Sequence, residues 1–183
     1  QNWRVFAPNI LKVNRTVEVR AQWRDERGEL VRSGWVSLTE IESARVAGHV
    51  VTSRIDKGGW NAWQQYLSRY AALNSTQQTR VRDTFIEHTG QGFQPIDNEA
   101  LVAELGSGDR DVIRFLRMDY MFMRYATVYA TAGFDQDIER VQWRVTRHRP
   151  NDFQHRFVDE QQYTDAVTTF GWRQSNVRLT DEV

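Results

Sequence analysis

Apolar and polar positions change rhythm twice along the chain. Between 17 and 24 they alternate, with Val17, Val19, Ala21 and Trp23 on one side and Glu18, Arg20, Gln22 and Arg24 on the other. A period of two predicts a half-buried strand. Asp25-Glu26-Arg27-Gly28 has turn composition, with Gly28 free to take positive φ. Leu30 to Leu38, with Val31, Trp35 and Val36, then reads as the return strand of a hairpin. Residues 1–16 contain Pro8 and show no helical period, which predicts an extended arm. Residues 40–55 fit a third strand or a short helix equally, and Lys57-Gly58-Gly59 reads as a break.

From Trp60 the rhythm becomes helical. Trp60, Trp63, Leu67 and Tyr70 share one face, and Asn74 is expected to end that helix. Ser75-Thr76-Gln77-Gln78 has capping-box form with Ser75 as N-cap. The helix behind it is expected to carry Val81, Phe85 and Ile86, with His88 in its last turn and Gly90 closing it. Asp97 is placed to cap a short helix ending at Gly106-Ser107-Gly108. The longest helical pattern covers 110–132, with Val112, Phe115, Leu116, Phe122, Met123, Ala126, Tyr129 and Ala130 in one stripe and Gly133 as its stop.

Alternation returns at 139–148, where Val141, Trp143 and Val145 interleave with Gln142, Arg144 and Thr146. Pro150-Asn151-Asp152 turns the chain, and Phe153 to Val158 is the expected return of a second hairpin. Tyr163, Val167 and Phe170 suggest a last short helix stopped by Gly171. The fold class this implies is α+β: an N-terminal hairpin, a central core of about four helices, a C-terminal hairpin with a short helix, and extended termini. One domain spans 17–172, between an arm at 1–16 and a polar tail at 173–183.

Composition narrows the chemistry. The 24 acidic and 24 basic residues cancel, so bulk attraction to nucleic acid is not expected. Of the basic residues only Lys12 and Lys57 are lysines; the rest are arginines. Arginine is enriched where proteins meet partners, although a GC-rich coding sequence has the same effect. Seven Trp serve first as core and second as interface anchors. The absence of Cys excludes a disulfide framework, an iron–sulfur cluster and a thiol nucleophile. No run approaches the ~20 apolar residues of a membrane span, so the chain reads as soluble, and no cofactor is implied.

No catalytic or cofactor motif is present: no phosphate loop, no dinucleotide fingerprint, no nucleophile elbow and no H-E-x-x-H. Gly106-Ser107-Gly108 resembles part of an anion loop, but Asp109 and Asp111 would repel a phosphate there. His148 and His155 flank the 150–152 turn without a third ligand at metal spacing, so no metal site is expected. On a wheel of about 100° per residue Asp119 falls inside the apolar stripe. A buried carboxylate there requires a partner, and pairing with an arginine from another segment or subunit is preferred over an acid–base role.

Two arginine concentrations are candidate binding surfaces. Arg110, Arg117 and Arg124 recur every seven residues along the long helix, with Arg114 beside them and Tyr120 or Tyr125 as a stacking surface. Arg144, Arg147 and Arg149 lie in the second, which runs from Arg140 to Arg156 and is interleaved with Trp143 and Phe153. The function expected from these features is a non-enzymatic subunit of a larger assembly, of the virus-particle, phage or filament kind, that grips copies of itself. A nucleic-acid-binding protein using the same faces, as a coat protein does, is the alternative. An enzyme built around Asp119 is the third.

Overall fold

The computed structural model describes residues 14–38, 53–90, 92–155 and 157–174. Of the arm expected at 1–16, residues 1–13 lie outside them and 14–16 open a strand; of the ambiguous stretch 40–55, residues 40–52 lie outside and 53–55 open a helix; of the tail expected at 173–183, residues 175–183 lie outside and 173–174 form a short strand. The architecture is α+β. Along the chain come β1 (Asn14–Arg24), β2 (Leu30–Arg32), β3 (Val36–Ser37), α1 (Ser53–Ala72), α2 (Ser75–Val81), β4 (Ile86–Thr89) and β5 (Gly92–Pro95). There follow α3 (Asn98–Gly106), α4 (Arg110–Phe134), β6 (Ile138–His148), a 3-10 turn (Phe153–His155), β7 (Ala166–Thr169) and β8 (Arg173–Gln174).

The main sheet is antiparallel and has two long central strands. Residues 14–22 of β1 pair with β6 in unbroken register, Glu18 opposite Arg144 and Arg20 opposite Gln142, until a bulge at Gln22/Trp23. The outer edge of β1 takes β2 and β3 in succession. Between them Ser33 keeps the edge satisfied, its N–H donating to the Ala21 carbonyl and its Oγ accepting from the Ala21 N–H. The outer edge of β6 takes β7 and β8 in the same way. A separate hairpin is formed by β4 and β5.

Alternation decides which face is buried. Val17, Val19 and Ala21 of β1 and Val141, Trp143 and Val145 of β6 are all at most 4% exposed. They face α1 and α4, which pack on each other. Tyr66 of α1 sits at the centre, its ring 5.1–5.9 Å from those of Phe115, Phe122, Trp143 and Phe170. Ring pairs at these spacings add roughly 0.5–1.5 kcal/mol each beyond area burial.

Several local expectations are corrected. The helix expected from Trp60 starts at Ser53 and runs through Gly58 and Gly59. The N-cap of α2 is Asn74, whose side chain accepts from the Gln77 N–H while Gln77 Oε1 accepts from the Asn74 N–H, one residue earlier than the expected box. That helix ends at Val81, so Ile86 and His88 lie on strand β4 and not on a helix. Gly133 does not stop α4, which closes at Asp135 with φ 52°. The return strand of the second hairpin is Ala166–Thr169, not 153–158, and it replaces the last short helix. Asn151 explains the longer excursion. Its side-chain amide donates to the carbonyls of His155, Val158 and Glu160, and its Oδ1 accepts from the Gln162 N–H.

Candidate functional site

The buried carboxylate organises the interior. Asp119 is 4% exposed on the core face of α4. Tyr66 Oη donates to Asp119 Oδ1 at 2.9 Å and Arg173 Nε to Oδ2 at 2.8 Å. Arg173, at 3% exposure, also donates from Nη2 to Asp119 Oδ1 at 3.4 Å and to the Val81 carbonyl at 2.7 Å, and from Nη1 to the carbonyls of Asp83 at 2.8 Å and Gly171 at 3.2 Å. Its guanidinium carbon also lies 3.5 Å from the centre of the Phe85 ring. Burial, first of all, and the neighbouring Asp119 push the Tyr66 phenol well above its ordinary value. The cluster thus joins α1, the end of α2, α4 and β8 through one matched ion pair. Every strong donor of the guanidinium already has an acceptor, which is what a buried ion pair requires.

Above this pair a small cavity of about 90 Å³ is lined by Phe85, Ile96, Leu101, Leu116, Asp119 and Met123 among others. Leu116 and Tyr120 separate it from a larger groove of about 600 Å³ between α3 and α4, lined by Asn98, Val102, Ile113, Leu116, Arg117, Tyr120 and Met121. The groove is apolar where a surface is expected to be polar. Met121 is 62% exposed, and Tyr120 and Val128 are 42% exposed on the same helix.

The helical arginines therefore share their edge with apolar residues. Arg110, Arg114, Arg117 and Arg124 are all exposed. Arg117 lines the groove, Arg124 lies 5.9 Å from the centre of the Tyr120 ring, and Arg114 is 3.5 Å from Asp111. The start of α4 is not an anion site. Asp109 Oδ1 accepts from the N–H groups of Asp111 and Val112, and Asp109 Oδ2 accepts from Gln77 Nε2.

The second arginine concentration is split by the sheet. Arg144 points to the solvent face, whereas Trp143 is fully buried on the core face, so the expected interleaving of the two does not occur. Arg144 makes a two-pronged pair with Glu18, at 2.5 and 2.9 Å. These bonds, the Glu18 acceptor foremost, raise the Arg144 pKa. Arg147 is exposed and opposite Arg15, and Arg149 stacks 3.8 Å from the centre of the Tyr163 ring. The side chain of Phe153 and residue Arg156 lie outside what is described. His148 Nδ1 lies 2.7 Å from Asp165, and no group of three or more metal-ligating residues exists among the described residues.

The rings on the solvent face are ones that spacing did not single out. The guanidinium carbons of Arg20 and Arg144 both lie 4.5 Å from the centre of the Trp35 ring, and that of Arg20 lies 5.2 Å from Trp172. Each Arg–Trp contact is worth roughly 0.5–1 kcal/mol at a partly exposed site.

No helix among the described residues is long and apolar enough to cross a membrane. An α+β chain with a buried ion pair, an apolar helical groove and an arginine-lined sheet face is what the geometry defines. The chain belongs to a family of unknown function, DUF5819, whose model matches residues 1–175. No curated protein and no solved structure matches it.

Proposed function

We propose that this protein is a non-enzymatic interaction subunit that assembles with copies of itself through the α3–α4 face. The observation that carries this reading is the groove of about 600 Å³, with Val102, Ile113 and Leu116 in its walls and Met121 exposed at its edge. Apolar surface of this kind gains free energy when another surface removes it from water, at roughly 25 cal/mol per Å². The surrounding charge favours a second copy as occupant. Exposed Glu99 lies on the α3 side, and exposed Arg110, Arg117 and Arg124 lie on the α4 side. A two-fold contact sets the acidic edge of each copy against the basic edge of the other. Larger closed shells or filaments built on this contact are the extended form of the same reading.

Sedimentation velocity over a range of concentrations tests it. The full chain is expected to show a mass that rises with concentration, and Met121→Glu is expected to return it to the monomer without changing its circular dichroism. A chain that stays monomeric at the highest concentration sinks the proposal.

A further inference from the structure

The solvent face of the main sheet carries charge that the described residues do not balance. The β1–β6 register sets Glu18, Arg20 and Gln22 against Arg144, Gln142 and Arg140, and β2 adds Arg32 opposite Gln22. Glu18 is engaged by Arg144 and Glu139 by Arg24. The other three arginines, Arg20, Arg32 and Arg140, find no carboxylate among the described residues. Arg20 donates to the neutral Gln142 at 2.7 Å. Arg32 is exposed and has no carboxylate partner among the described residues. Arg140 Nε is buried with no hydrogen-bond partner among the described residues, while its guanidinium lies 4.8 Å from the centre of the exposed Phe93 ring. Burial first, then the like charges of Arg32 and Arg144, lower the Arg20 pKa. The fold therefore holds like-charged guanidinium groups close together.

Rings lie within the same patch. Trp35 and Trp172 are half-buried, so part of each indole faces solvent beside Arg20. Charge alone would suit any polyanion. Planar rings set among guanidinium forks that lack a carboxylate suit one whose units carry both a phosphate and an aromatic face. A duplex keeps its bases stacked inside and cannot use the rings, and an acidic peptide offers them nothing. We propose that this face binds single-stranded nucleic acid, with phosphates on Arg20, Arg32 and Arg140 and a base stacked on Trp35.

The test titrates the full chain with a short fluorescently labelled poly(dT) strand at several salt concentrations while indole emission is followed. Binding is expected to quench tryptophan emission. Its log affinity is expected to fall with log salt at a slope of roughly −2 for three neutralised phosphates, about −0.7 each. Arg32→Gln and Arg140→Gln are each expected to weaken binding about tenfold and together to flatten the slope to roughly −0.7. Trp35→Phe keeps a ring and is expected to retain most of the affinity. Unchanged affinity in the double arginine variant, with its fold intact by circular dichroism, overturns the proposal. So does equal binding of duplex DNA or heparin without quenching, which is the signature of a face that captures charge alone.

Discussion

Arg173 and Arg20 face opposite sides of one sheet and are treated in opposite ways. Arg173, in the interior, has a carboxylate, main-chain carbonyls and a ring around its fork, and no strong donor is left over. Arg20, on the outer face, has an amide, two indoles and two like charges for company. The first arrangement is what a buried ion needs to exist at all. The second leaves positive charge in reserve. The contrast separates arginines that hold the fold from arginines that are available to something else, and counting them in the sequence does not.

The comparison is broken most severely from the inside. Asp119→Ala strands the Arg173 charge and the Tyr66 hydroxyl, and a loss of about 3–5 kcal/mol in urea unfolding is expected. A double replacement, Asp119→Leu with Arg173→Met, is expected to recover much of that loss. Recovery would show that the pair gives specificity more than net stability. Gly171→Ala comes next. A Cβ there would run into the backbone of Asp83 and Thr84, where the chain leading to β8 crosses the end of α2. About 3 kcal/mol is expected, because backbone cannot step aside as a side chain does.

Alkaline titration sharpens the contrast further. The Tyr66 phenol is raised in the folded chain, so the folded state keeps its proton at pH values where the unfolded chain, near pH 10, has lost it. The corresponding stability is complete below that range and declines as pH climbs toward the folded value. Tyr66→Phe is expected to flatten this alkaline limb and to cost about 1.5–3 kcal/mol at neutral pH through the lost bond to a carboxylate. Arg32→Gln, on the outer face, is expected to change the unfolding midpoint by no more than about 0.5 kcal/mol equivalent. A large loss there would mean that the outer arginines also hold the fold.

Much of the scaffold was legible because its signals are local. Clean alternation located β1 and β6, the 3.6 period located α4, and Asp97 was recognisable as a cap because its carboxylate accepts from Ala100 N–H three residues on. Local spacing failed where distant residues decide. Phe85 and Ile86 continue the helical spacing of α2, yet Arg173, about 90 residues away, takes the carbonyls of Val81 and Asp83, and Phe85 N–H donates to Trp172. Val167 and Phe170 have helical spacing too, but the free edge of β6 recruits Ala166–Thr169 as a strand. Two adjacent sequences could form a capping box at 74–78, and distant and neighbouring carbonyls separate them: Gln77 Nε2 donates to the Leu105 carbonyl while Gln78 Nε2 is drawn to that of Leu73.

The same holds for the candidate sites. The burial of Asp119 follows from its place on the helical wheel, whereas its partners Tyr66 and Arg173 lie 53 residues before it and 54 after it. The outer-face cluster was missed because it exists only once β1 and β6 are in register. Trp35 and Trp172 sit in loops whose paths no period describes. A usable signal was the pairing of two alternating strands with complementary outer residues, Glu18, Arg20 and Gln22 on one and Arg140, Gln142 and Arg144 on the other.

That register also dictates the order in which the molecule can be made. Glu18 waits for a partner 126 residues downstream. At about 5–20 residues per second, the ribosome delivers β6 roughly 6–25 s after β1. Through that interval β1 has, among the described residues, its local hairpin partners β2 and β3, and its other edge still lacks β6. β7 and β8 can add to β6 only after it has been made, and pairing strands this far apart in sequence carries the loop-closure entropy that slows such topologies.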